Sequence, residues 1–239
     1  MSKIYWIRKL KALFFRFRLH KIVPGKSLIF LGHLSELSKW INETQPARYS
    51  SDFYSKKFNY GKRFNLYQDL ILKEKLDTSI DYLEFGVSTG SSLKWWLGNI
   101  ENKQARFFGF DTFEGLPEDW GSFKKGDMSA DILPTEILND NRCKLYKGLF
   151  QDTLFDFLKS YKRQNRLVVH MDADIYSATL FVLTTLAPFL KKDDIILFDE
   201  FNVPLHEFKA FIEWTKSFYI DFEVLFTINN FYQIALKLR

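Results

Sequence analysis

The residues Asp81-Tyr-Leu-Glu-Phe-Gly-Val-Ser-Thr-Gly-Ser-Ser-Leu93 divide into three parts. Residues 80–85 read as a buried strand, Gly86 and Gly90 punctuate a turn, and a helix opens near Ser91. A strand that runs through a glycine turn into a helix N-terminus presents backbone N–H groups to a nucleotide-like ligand. Gly86 and Gly90 are expected to admit that ligand closely, because a Cβ at either position would push it away. Alone, the pattern equally describes an ordinary strand-to-helix turn.

The turn lacks the middle glycine of the Gly-x-Gly-x-x-Gly dinucleotide pattern, since Ser88 stands two residues after Gly86. Glu84, on the strand, would sit badly beside a pyrophosphate. An acid there suits a ligand that carries an ammonium group and hydroxyls, such as S-adenosylmethionine.

Outward from this stretch, strand and helix patterns alternate to the end of the chain. Strands are expected at 80–85, 105–110, 143–147, 166–172, 193–199, 221–227 and 231–237, and helices at 90–98, 134–139, 151–160, 177–190 and 204–218. Pro204 suits the first turn of the last helix. The last two strands have no helix between them and are split by Ile228-Asn-Asn230, a hairpin signal. The expected fold is α/β and Rossmann-like: a mostly parallel seven-stranded sheet closed by a C-terminal antiparallel hairpin. A helical N-terminal extension precedes it. The division expected is 1–62, a basic helical extension with a loop that covers the active site, and 63–239, the catalytic domain.

The chain of 239 residues holds 34 Lys and Arg against 29 Asp and Glu, but the bases are unevenly placed. Residues 1–26 hold eight of them and no acid; the remainder, with 26 bases against 29 acids, carries a net charge of −3. The basic character therefore belongs to the N-terminal segment, and nucleic-acid binding by the domain is disfavoured on charge. In residues 1–22 the bases alternate with Ile4, Ile7, Leu10, Leu13, Phe14 and Phe17, the spacing of an amphipathic helix. Its apolar runs are too short for a secretory signal or a membrane span. Two placements are open: a helix lying peripherally on an anionic membrane surface, or one docked on its own domain or on a second protomer, which would make a homodimer. The docked placement is the preferred expectation.

A second helix is expected at 27–42 through Phe30, Leu34, Leu37 and Ile41, and a third at 64–76. The polar and aromatic stretch 46–62 reads as a loop over the active site or an ordinary surface loop. A single cysteine, Cys143, excludes an intrachain disulfide framework and suits a reducing compartment, so a cytoplasmic protein is expected, with contact at the inner membrane surface as the variant the basic helix allows.

Ligands of such sheets bind beyond the carboxyl ends of the strands, and in this chain those ends are acidic. Besides Glu84, the second strand runs into Asp111, placed to accept hydrogen bonds from ribose hydroxyls. The fourth strand ends His170-Met-Asp-Ala-Asp174 and the fifth Leu197-Phe-Asp-Glu200. Asp172, Asp174, Asp199 and Glu200 would thus converge, and clustered carboxylates repel unless a cation or raised pKa values relieve them. An all-oxygen set suits Mg²⁺ or another hard divalent cation better than zinc. Some of these acids, Asp174 above all, could instead cap the helices that follow.

At this point the sequence resembles the macrocin O-methyltransferase family of class I S-adenosylmethionine-dependent enzymes, which methylate sugar hydroxyls on macrolides. The resemblance rests, in order, on Glu84-Phe-Gly-Val with Gly90, Gly109-Phe-Asp-Thr-Phe-Glu-Gly-Leu-Pro-Glu118, Lys147-Gly-Leu-Phe-Gln-Asp-Thr-Leu154, Met171-Asp-Ala-Asp-Ile-Tyr176 and Phe198-Asp-Glu200. It covers about residues 64–239. It implies a class I methyltransferase fold in which Glu84, Gly86, Ser88 and Gly90 line the methionine side of the cofactor and Asp111 and Thr112 take its ribose. Phe113 with Gly148, Phe150 and Gln151 would flank the adenine, and Asp172 is also placed against the cofactor. Asp172, Asp174, Asp199 and Glu200 stand at the family's metal site, where Glu200 departs from a usual aspartate. Larger members place a catalytic histidine near the C-terminus, but no histidine follows His206 here.

The activity implied is Mg²⁺-assisted methyl transfer to a hydroxyl of a sugar or glycosylated metabolite, with Asp172 or Asp174 as general base. Acceptors of a phenolic or catechol-like kind, and an idle fold that serves as a scaffold, remain the alternatives. The loop 112–130, with Gly115, Gly121 and Gly126, is expected to act as a lid.

Overall fold

The computed structural model describes residues 3–44, 47–130 and 132–239; Pro46, where the expected covering loop begins, lies outside the described residues, as do Met1, Ser2, Gln45 and Asp131. In chain order the helices are α1 (Lys3–Arg16), α2 (Gly25–Thr44), α3 (Lys62–Glu74), α4 (Ser91–Asn99), α5 (Thr135–Asn139), α6 (Phe150–Ser160), α7 (Tyr176–Leu186) and α8 (Glu207–Phe218). The strands are β1 (Ser50–Ser51), β2 (Ile80–Phe85), β3 (Arg106–Asp111), β4 (Cys143–Lys147), β5 (Arg166–Met171), β6 (Ile195–Phe198), β7 (Phe222–Ile228) and β8 (Gln233–Leu238).

The strands form one sheet in the order β1-β7-β8-β6-β5-β2-β3-β4. Neighbours from β6 to β4 run parallel, and β8 runs antiparallel to both β6 and β7. β2, β5 and β6 are buried on both faces, as central parallel strands are, although only β6 is apolar throughout: β2 carries Asp81 and Glu84, and β5 carries His170. Alternation then sorts the side chains. Leu83, Phe85, Val169 and Met171 pack with α6, α7 and α8, while Tyr82 and Val168 pack with Leu66, Tyr67 and Leu70 of α3 and Trp96 of α4.

The expected seven strands are present, and the sheet has an eighth. The two-residue β1 pairs parallel with β7, with Ser50 opposite Phe226. Ser-Ser carries no strand pattern; what holds it is tertiary, through the Arg48–Glu223 ion pair at 2.8 Å and the Thr227 hydroxyl donating to Ser51 Oγ at 2.7 Å. A second correction concerns Pro204, which lies in the turn before α8 rather than in its first turn, because the helix begins only at Glu207.

A third concerns the N-terminus. Only the C-terminal half of α2 docks: Leu37 and Ile41 are buried, and the Trp40 ring meets the rings of Phe201, Phe208, Phe211, Phe222 and Phe231 at 5.0–6.5 Å. Phe30 and Leu34, expected on the same face, are exposed, and no residue of α1 is buried. The expected docking of α1 on its own domain is therefore not found.

Charged networks tie the amino ends of the strands. Asp81, fully buried, accepts from Arg106 Nε at 2.9 Å, the Tyr161 hydroxyl at 2.7 Å and Asn165 Nδ2 at 2.9 Å. These bonds compensate a carboxylate taken out of water and leave the opposite, carboxyl ends free for the site.

Candidate active site

Strand order reverses at β2: β3 and β4 lie to one side, β5 and β6 to the other. The crevice beyond the carboxyl ends of β2 and β5 is the place such sheets offer a ligand. A cavity of about 690 Å³ opens there, within the span of small-molecule sites. Of the residues expected at the site, it brings Gly86, Ser88, Asp111, Thr112, Phe150, Gln151, Asp172, Asp174 and Glu200 to one wall system. Glu84, Gly90, Phe113, Gly148 and Asp199 are not on that wall.

Asp111 organises the cofactor end. Its Oδ2 accepts the Ser88 N–H at 2.7 Å and its Oδ1 accepts the Phe113 N–H at 2.6 Å. Ser88 and Phe113 both have positive φ, at 46° and 57°, a backbone cost of roughly 1–2 kcal/mol each that such bonds offset. One lone pair on each oxygen stays free for a ligand hydroxyl. Phe113 itself turns away to pack with the α3–α4 side of the core.

The two glycines of the turn are needed for packing. A Cβ on Gly86, whose φ is +99°, would lie 1.7 Å from the Asp172 carbonyl oxygen. One on Gly90 would lie 2.5 Å from Ile137 Cδ1. The turn is thus pressed against β5 on one side and α5 on the other.

Glu84 departs most from expectation. Strand alternation sends its side chain to the face that carries Tyr82 and His170, where the Tyr82 hydroxyl donates to its Oε2 at 2.5 Å. His170 Nδ1 lies 3.7 Å from the same oxygen and bonds Tyr82 at 2.7 Å. His170 is therefore part of a buried knot behind the cavity. Glu84 Oε1 has no partner there.

The acids at the strand ends split into two groups. Oxygens of Asp172, Asp174 and Glu200 lie within 4.8 Å of one another. Burial, then the charges of Asp199 and Asp174, push Asp172 well above the usual carboxylate range. Burial, then Asp199 and Asp111, push Asp174 up to about 7. Burial, then Asp172 and Asp199, raise Glu200 as well. Asp199, expected in the metal set, lies outside this trio. Its Oδ2 accepts from the Tyr60 hydroxyl and faces Arg63 Nη1 at 3.3 Å. The physical reason is competition: a carboxylate committed to a guanidinium and a phenol has little field left for an ion. Tyr60 stays protonated, since burial and the charges of Asp172, Asp199 and Glu200 all raise it.

The trio has the donor chemistry of a hard divalent cation. Among the described residues no Lys, Arg or His pairs with it, and Glu200 Oε2 is buried without a partner. Such an orphaned oxygen beside two more carboxylates fits an ion in the 2.0–2.6 Å oxygen shell of about six ligands that Mg²⁺ or Ca²⁺ takes. The departure to glutamate at position 200 is no obstacle, since its longer arm reaches the trio.

Several lining residues were not singled out from the sequence. Phe58, Tyr60 and Arg63 come from the segment before and at the start of α3, Ser91 and Ser92 from the N-terminus of α4, and Tyr232 from the β7–β8 turn. The Tyr232 hydroxyl donates to Glu200 Oε1 at 3.4 Å. The loop 112–130 contributes Gly115, Leu116, Pro117, Glu118, Trp120, Phe123 and Met128. Trp120 and Phe123 stack with centroids 5.3 Å apart.

Residues 83–201 match the family described as a methyltransferase domain. No curated protein matches the chain in sequence. Among solved structures the chain is similar to the calicheamicin methyltransferase CalS11, at 19% identity over 90% of this chain and 93% of that one, with a TM-score of 0.58. An apo structure of CalS11, titled TDP-rhamnose 3'-O-methyltransferase, gives 20% identity over 90% and 95%, with a TM-score of 0.54. The O-methyltransferase NovP gives 18% identity over 88% and 98%, with a TM-score of 0.55. At these identities the likeness speaks for the fold. With the domain match and the cavity at the strand switch, it makes this chain an S-adenosylmethionine-dependent methyltransferase of the class I fold.

Proposed function

We propose that the enzyme transfers the methyl group to a hydroxyl of a sugar or glycosylated metabolite, with a divalent cation held by Asp172, Asp174 and Glu200. The observation that carries this reading is the carboxylate trio on the wall of the same cavity that Ser88 and Asp111 line. Ser88, Asp111 and Thr112 would seat the nucleoside, and Phe150 and Gln151 would close on its base. A bound cation supplies Lewis acidity that lowers the pKa of an acceptor hydroxyl. Asp172 or Asp174 takes the hydroxyl proton as the oxygen attacks the sulfonium methyl carbon and the thioether leaves. Catalysis of this displacement is mostly orientation, which falls to the walls of the cavity. The Trp120–Phe123 pair offers a flat apolar surface for a sugar face, and equally for a phenolic ring.

The test is methyl transfer from S-adenosylmethionine to a panel of nucleotide sugars, glycosides and catechols, read by mass spectrometry with and without Mg²⁺. Mg²⁺-dependent methylation of saccharides supports the proposal. Methylation of catechols alone assigns the acceptor to the phenolic class, and metal-independent methylation removes the cation from the reading.

A further inference from the structure

Among the described residues none of α1 is buried, and the chemistry of its exposed surface is specific. Trp6, Ile7, Leu10, Leu13 and Phe14 share one helical face at spacings of three and four, with Arg8 opposite and Lys9 and Arg16 along its edge, the Lys9 ammonium 5.6 Å from the Trp6 ring centroid. Leu10 is 63% exposed, and beyond the helix Phe17 and Ile22 are 63% and 77% exposed. The start of α2 adds Leu28, Ile29 and Leu31, also exposed. A surface of this size on a soluble domain marks an interaction site. Residues 1–26 carry eight bases and no acid. Pairing two copies of this face would set two acid-free basic segments against each other. An anionic surface neutralises them instead.

We propose that α1, the turn after it and the exposed start of α2 form a docking surface for an anionic phospholipid bilayer. The helix lies in the interface rather than across it. Its 14 residues extend about 21 Å at the rise of an α-helix, short of a hydrocarbon core of roughly 30 Å. No described helix is long and apolar enough to cross a membrane. Trp6 and Tyr5 are of the type that settles at the headgroup level, the apolar face enters the acyl boundary, and the Arg and Lys side chains meet lipid phosphates.

The test is sedimentation of the full chain with phosphatidylcholine vesicles, with and without phosphatidylglycerol. The protein is expected to sediment with the anionic vesicles only, and to be released by added salt. Trp6→Asp with Leu10→Asp abolishes binding. Arg8→Gln with Lys9→Gln weakens it roughly thirtyfold, since each base at an anionic surface contributes about fivefold. Unchanged melting temperature and S-adenosylmethionine affinity in both variants show that the domain is intact. The proposal is overturned if the wild type ignores anionic vesicles, binds neutral ones equally, or binds with full strength after either substitution. It is also overturned if sedimentation equilibrium shows a dimer that Trp6→Asp with Leu10→Asp dissociates, because a second copy then covers the face.

Discussion

Gly86→Ala should be the most damaging single-methyl change in the cofactor turn, for two separable reasons. The residue sits at φ +99°, where a side chain costs roughly 1–2 kcal/mol. The added Cβ would also lie 1.7 Å from the Asp172 carbonyl oxygen and 2.6 Å from its carbonyl carbon. Those are backbone atoms of the chain leaving β5, not the end of a flexible side chain, so relief requires the two strand ends to part. Overpacking of this kind costs about 1–3 kcal/mol. The sum, roughly 2–5 kcal/mol, is a large part of a typical domain stability of about 5–15 kcal/mol. At roughly 2–4 °C per kcal/mol for a chain of this size, the melting temperature should fall by about 4–20 °C. Gly121→Ala is the control: its φ is +56° and nothing lies within 4 Å of the added Cβ, so only the backbone cost applies. Scanning calorimetry of both variants separates the two contributions. If Gly86→Ala melts no lower than Gly121→Ala, the close approach of the turn to β5 is wrong.

Further outcomes follow from the charges. Glu200→Gln should weaken Mg²⁺ binding at least about tenfold in a calorimetric titration, as loss of a charged ligand would, while Asp199→Asn should keep that heat. Asp199→Asn instead removes the counter-ion of the buried Arg63 and should lower thermal stability by up to about 3–5 kcal/mol. Asp81→Ala, at the other end of β2, should cost a similar amount without changing cofactor affinity. Burial raises the Asp81 pKa, but bonds from Arg106, Tyr161 and the Gln164 N–H outweigh it and the net shift is downward. Its contribution to stability is therefore present above the unfolded value of about 3.9 and lost as pH falls through the lower folded value, which acid titration of wild type against Asp81→Asn would show. Burial pushes the Cys143 thiol up to about 12. A thiol reagent at neutral pH should label it only on unfolding, and the thiol's contribution to stability should fade as pH rises from about 9 toward 12.

The strands and helices of the domain were legible because their signals are local. β2, β5 and β6 are short, mostly apolar runs of strand length, and the acids that follow β5 and β6 fall at the switch point by topology alone. What escaped depends on partners distant in sequence. β1 exists through Arg48–Glu223 and Thr227, more than 170 positions away. Asp199 and Glu200 are adjacent, and only the arrival of Tyr60 and Arg63 from the start of α3 shows that the first is an anchor and the second faces the cavity. Glu84 follows the same logic: period-2 alternation from Tyr82 already put the two on one face, and Tyr82 holds it there. At the glycines the harm a Cβ does to packing shows only in the folded chain, where the Asp172 carbonyl and Ile137 close on the turn.

The most direct test of the account is calorimetric titration of S-adenosylmethionine into the protein, repeated with Asp111→Ala. The account predicts a saturable heat for the wild type and its loss on substitution, because Asp111 both lines the cavity and bonds the Ser88 and Phe113 amides that shape the turn. Absence of any heat with the wild type, or undiminished affinity in a folded Asp111→Ala protein, would contradict it.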